Sequence, residues 1–187
     1  MLNNSQGRAA MQRRTQKQVS VGIASELLQV FWPVFIEESG CVFAAFHGDG
    51  GPAPSGTKTD WECFANHTHV MDEFLNNATF QHRENVSEEL DEIEEIYDES
   101  HPDFLTACEL GKTMAQMWAI KLNVDFPNEQ FRVYYTQYDN PIVRFHKVRS
   151  DERVWLADEE LLAAEDPSFR DALIYDTKHL AAPVVKK

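Results

Sequence analysis

Two short stretches constrain the fold of this chain more than any other feature. Residues 131–138 and 142–148 are rich in β-branched and aromatic side chains, and Asp139-Asn140-Pro141, a cluster of turn formers, joins them. Each arm alternates. Phe131, Val133, Tyr135 and Gln137 share one face, and Arg132, Tyr134, Thr136 and Tyr138 share the other. A β-hairpin is the expected outcome, and whatever else the chain forms must cover it.

The covering elements are read from helical spacing. Phe104, Cys108, Gly111, Ala115, Trp118 and Leu122 recur at three and four, so residues from Ser100 onward predict the main core helix, opened by Ser100-x-x-Asp103 with Pro102 in the first turn. Val19, Ile23, Leu27, Val30, Phe31, Val34 and Phe35 predict another helix, which Pro33 ends or kinks near Trp32. Residues 41–46 read as a buried strand, and 61–65 as a second strand pairing with it, followed by a helix over 67–76 capped by Asn66. The loop between them, His47-Gly48-Asp49-Gly50-Gly51 and onward, is the richest in breakers. It lacks the Lys-Ser/Thr of a phosphate loop. Short helices are expected over 158–164 and 167–175, with a brief strand at 154–156.

These blocks predict a single α+β domain over 19–180, with a small antiparallel sheet packed against several helices. A Gln- and Asn-rich leader over 1–18 is expected to be disordered, and the tail 181–187 flexible.

Charge narrows the function. No Lys or Arg occurs between Arg83 and Lys112, and the net charge is -14. Such a surface repels nucleic acid and anionic lipid and steers basic partners toward it. Asn85-x-x-Glu88 resembles a helix start, and Leu90, Ile93, Ile96 and Tyr97 form one apolar stripe. An acidic helix is therefore expected, although pairs such as Glu88/Glu92 and Asp91/Glu95 each oppose it by about 0.2–0.5 kcal/mol. Glu88, Asp91, Glu92, Glu95, Asp98 and Glu99 are the candidate contacts for a basic, nuclease-like protein that this chain would neutralise or adapt. A solvated helix face is the plain alternative.

The best cluster for chemistry is Cys63-x3-His67-x-His69, with Asp72 and Glu73 close behind. Cys63, His67, His69 and Glu73 are donors suited to zinc, and a metal-dependent hydrolase or metal-binding protein is the alternative function. Two apart, the histidines share a face on a strand but diverge by about 200° on a helix. The other reading of this cluster is capping at a strand-to-helix junction. Cys63 beside His67 is a poor nucleophile, because nearby carboxylates raise a thiol's pKa. The hairpin face with Arg132, Tyr134, Tyr138, Arg144 and His146 could bind a ligand, or could hold its arginines over aromatic rings. A homodimer through that aromatic hairpin is a third expectation. Three cysteines without framework spacing and no long apolar run point to a reduced, cytoplasmic setting.

Overall fold

The computed structural model describes residues 20–47, 56–74, 78, 80–84, 93–137, 140–156, 169, 171–180 and 184–185. The leader, most of the glycine-rich loop, residues 85–92, Tyr138, the stretch 157–168 and most of the tail lie outside them.

The expected hairpin forms the middle of a five-stranded antiparallel sheet. Strands β6 (Phe131–Gln137) and β7 (Pro141–Lys147) pair from Phe131↔Lys147 to Gln137↔Pro141. The sheet order is β3-β7-β6-β8-β9, with β3 at Thr68–His69, β8 at Leu173–Asp176 and β9 at Val184–Val185. Two further pairs stand apart: β1 (Phe35–Glu38) with β2 (Cys41–Ala44), and β4 (Phe80–Glu84) with β5 (Ile93–Tyr97). Three helices are described: α1 (Val21–Phe31), α2 (Lys58–Ala65) and α3 (Pro102–Asp125). The chain is a small α+β domain, as the block pattern predicts.

Helix α3 lies on the face bearing Phe131, Val133, Tyr135, Val143 and Phe145, all fully buried. Its six predicted core positions are all buried. His101, not Ser100, caps it, accepting the Asp103 N–H at 3.1 Å. Trp118 is the centre of an aromatic cluster with Phe35, Phe46 and Phe145, and its Nε1 donates to the Val30 carbonyl at 2.8 Å. That bond ties α3 to the end of α1, which stops at Trp32 just before Pro33. The chain then turns into β1 and returns through Ser39 and Gly40, both at positive φ, the geometry a tight two-residue hairpin turn requires.

Gly111 sits where α3 crosses the sheet. A Cβ there would lie 2.9 Å from Cε2 of Tyr135 and 3.2 Å from Cγ2 of Val70, both buried. Overpacking costs about 1–3 kcal/mol, and helix propensity returns about 1. Gly111→Ala is therefore expected to lose up to about 2 kcal/mol in urea unfolding. A variant as stable as the parent would show that Tyr135 can move aside freely.

Several local expectations are corrected. Residues 61–65 form not a strand but part of α2, because Thr57 and Asp60 make a reciprocal capping box ahead of them. Strand β2 pairs with β1 instead, and Asn66 closes α2 rather than opening the next helix. No helix begins at His67: Thr68 and His69 pair with Val143 and Ile142, and a turn follows. The acidic helix is replaced over 93–97 by β5, whose partner β4 sets Arg83 opposite Glu94 and His82 opposite Glu95. Finally, 173–176 is strand, not helix, because Leu-Ile-Tyr completes the open edge of β6. Residues 154–156 form no strand but cover the sheet face away from α3.

Candidate functional site

The face of β6 and β7 away from α3 holds the polar side chains. Strand pairing places Tyr134 opposite Arg144, with Arg132 opposite His146. Across β7, the short β3 brings His69 beside Ile142, and His67, two residues earlier, points to the same face beside Arg144. The two-residue spacing that a helix would have splayed is thus brought together by a strand.

The contacts are close. His67 Nε2 lies 3.0 Å from His69 Nε2 and 3.1 Å from Arg144 Nη2. A guanidinium only donates, so His67 Nε2 is the acceptor in that bond. His69 Nδ1 faces the Asp72 carboxylate at 3.6 Å. Asn140 holds the turn behind it, accepting the Met71 N–H at 3.1 Å and donating to Asp72 at 3.4 Å. The Arg144 guanidinium stacks over the Trp155 ring, 4.3 Å from its centre. Burial pulls Arg144 below its usual value, with the nearby Cys63 opposing. Trp155 also borders a hollow of about 430 Å³ lined with Thr57, Asp60, Arg153, Val154 and Leu156.

The proposed zinc donors do not converge. Among the described residues no group of three or more His, Cys, Asp or Glu is placed to hold a metal ion. Cys63 is buried, and burial pushes its thiol far up, with Arg144 pulling weakly back. It packs in the core as a small hydrophobe. Glu73 is pushed up by burial and by Asp72. Only His67 and His69 meet, and Arg144 occupies the space beside them.

Beneath the same face lies a group that sequence reading missed. Glu62, fully buried on α2, accepts the Val42 and Lys147 backbone N–H groups at 2.7 and 2.8 Å and forms a two-pronged pair with Arg149, both prongs 2.8 Å. Its signal was a charged residue at a buried position of helical spacing, which becomes visible only once 58–65 is read as helix. It is an anchor rather than a site, since every oxygen is taken.

The acidic candidates divide. Glu95 is on β5, opposite His82. Asp98 is half-buried and accepts the Ser100 N–H and hydroxyl at 2.9 and 2.6 Å, which hold its carboxyl below the usual range. Glu99 follows in the turn into α3. Glu88, Asp91 and Glu92 fall in 85–92, outside the described residues. Of the hairpin-face candidates, Tyr134 is buried against Trp155 and His146, and Arg132 donates to the Leu156 carbonyl at 3.4 Å. Both faces of the aromatic hairpin are thus covered within the chain. The apolar side chains left most exposed include Val21, Ile23 and Leu28 of α1 and Phe64 of α2.

What the fold defines is an α+β domain with an antiparallel sheet against three helices, one face of which brings His67, His69 and Arg144 together. Comparison with protein-family models, with curated proteins and with solved structures finds no match to this chain. No helix of the described residues is long and apolar enough to cross a membrane.

Proposed function

We propose that the protein acts by binding a basic protein partner, of the nuclease kind, through the acidic β4–β5 hairpin and the turn after it. One observation supports this reading. The acidic run is mounted on a two-stranded sheet that hydrogen-bonds to no other described strand, yet Tyr97 at its end packs against the core. The hairpin is thus rooted in the core at Tyr97. Glu88, Asp91, Glu92, Glu95, Asp98 and Glu99 would pair with Lys and Arg that otherwise grip phosphate, so occupancy would block the partner's own ligand.

Native mass spectrometry of the protein drawn gently from its host at low salt tests this. A stoichiometric basic companion, released by added salt, is expected, because exposed charge pairs are screened. With that companion in hand, Glu92→Lys with Glu95→Lys should weaken binding about tenfold or more, chiefly through slower association, with unfolding unchanged. Unchanged affinity would remove this surface from the proposal.

The zinc-dependent reading keeps one observation in its favour: 3.0 Å between the Nε2 atoms of His67 and His69 approaches the separation of two ligands on one ion. Arg144 at 3.1 Å, a permanent cation, stands against it. A lone protein carrying a zinc mass lost in His67→Ala would reverse the order of the two readings.

A further inference from the structure

We propose that Arg144, His69 and His67 form a binding site for the oxyanion of a small ligand, a phosphate or carboxylate group. The site uses no residue of the acidic hairpin and stands independently of the proposed protein partner.

The first argument is the charge of Arg144. The chain carries 31 acidic residues against 17 basic ones, yet among the described residues no carboxylate pairs with this largely buried guanidinium. Its Nε is buried without any hydrogen-bond partner. Taking a cation out of water without a counter-charge is costly. Stacking on Trp155 offsets only part of that. Two residues past the end of β7 the fold neutralises another largely buried arginine with a carboxylate: Arg149 receives both oxygens of Glu62. At Arg144 no described carboxylate takes that role, and Nε has no hydrogen-bond partner.

The second argument is the use of donors. Because Arg144 donates to His67 Nε2, the proton between the two imidazoles belongs to His69 Nε2. Two N–H groups therefore aim at a single ring nitrogen with one lone pair. Neither is fully satisfied, and Arg144 Nε–H is not satisfied at all. An oxygen atom bearing negative charge, entering beside His67, would take the His69 and Arg144 protons together. Charge-assisted bonds of that kind are about twice as strong as neutral ones.

The third argument is access. The His69 side chain is 35% exposed, so a ligand can arrive over it without opening the core. Asp72 lies on its far side, 3.6 Å from Nδ1 and away from the approach to Nε2. A cation ligand would meet the opposite conditions, since Arg144 repels it.

The test is a titration of the full chain with inorganic phosphate and, separately, with acetate, ionic strength held constant with chloride. The readouts are the NMR signal of the Arg144 Nε–H and the melting temperature. A saturable shift of that signal with a rise in melting temperature is expected for at least one of the two anions, and the one that saturates at lower concentration identifies the ligand chemistry. Arg144→Gln and His69→Ala should each weaken the binding about tenfold or more. His69→Ala lies at the surface, so it keeps the test decisive if Arg144→Gln does not fold. No saturation with either anion overturns the proposal, as does undiminished binding in His69→Ala.

Discussion

Glu62→Ala is expected to destabilise the protein by about 3–5 kcal/mol, lowering the melting temperature by about 6–20 °C for a chain of this size. The carboxylate has no exposed surface, and four donors converge on it: two backbone N–H groups and both prongs of Arg149. Through them α2 is fastened to β2 at Val42 and to the end of β7 at Lys147. Burial pushes the Glu62 carboxyl up, while Arg149 and the backbone donors pull it back. Removing the acid leaves the Arg149 guanidinium without its buried partner and two amides without acceptors. That loss exceeds the worth of the pair itself. Arg149→Met combined with Glu62→Leu should therefore be less damaging than Glu62→Ala alone. Urea unfolding of the single and double variants measures this, and a loss below about 1 kcal/mol for Glu62→Ala would show that water replaces the carboxylate.

The hairpin and the main helix were legible because each carries a single dominant signal. In 131–148 it is alternation with β-branched residues around a Pro turn, and in α3 an unbroken three-and-four spacing. The errors fell where two periods competed. Trp61, Cys63 and Ala65 alternate as a strand would, while Thr59, Glu62, Cys63 and Asn66 are the positions that α2 and its cap bury. The capping box at Thr57 and Asp60 decides between them, and it lies outside the alternating run. In 93–97 the apolar Ile93, Ile96 and Tyr97 fit a helix stripe, but the register with β4 depends on residues nine or more positions away. Where no tight turn joins the strands, as between β4 and β5, local pattern does not report their pairing.

The candidate site shows the same dependence. His67 and His69 stood out by residue type, and whether they could meet turned on a strand of two residues. Arg144 was readable as a member of a polar hairpin face. That it would stack on Trp155 and lack a carboxylate was not readable, because a counter-charge could have come from any of the acidic segments. Glu62 and Arg149 are paired across 87 positions, a separation that spacing arguments do not reach.

His146 sets a further expectation, in acid. Its ring is fully buried, Nδ1 donates to the Lys147 carbonyl at 2.9 Å, and Nε2 accepts from the Tyr134 hydroxyl at 2.9 Å and the Trp155 N–H at 3.3 Å. Every contact fits the neutral ring, and burial lowers its pKa from 6.5 to about 4. The unfolded chain therefore takes up a proton as pH falls through about 6.5, while the folded chain does not until about 4. Stability that is complete above the unfolded value is lost across that window, reaching about 3 kcal/mol at its lower end. Glu62 and Glu73, both pushed upward, work in the opposite sense, since the folded chain then binds more protons than the unfolded one. Comparison with His146→Gln separates the two. The variant should start less stable at neutral pH, having lost the ring's packing and part of its bonding. Between pH 6.5 and 4 its stability should fall by about 3 kcal/mol less than that of the parent. Urea unfolding across that range reads the difference directly, and parallel curves for the two proteins would mean that His146 gains its proton while still folded.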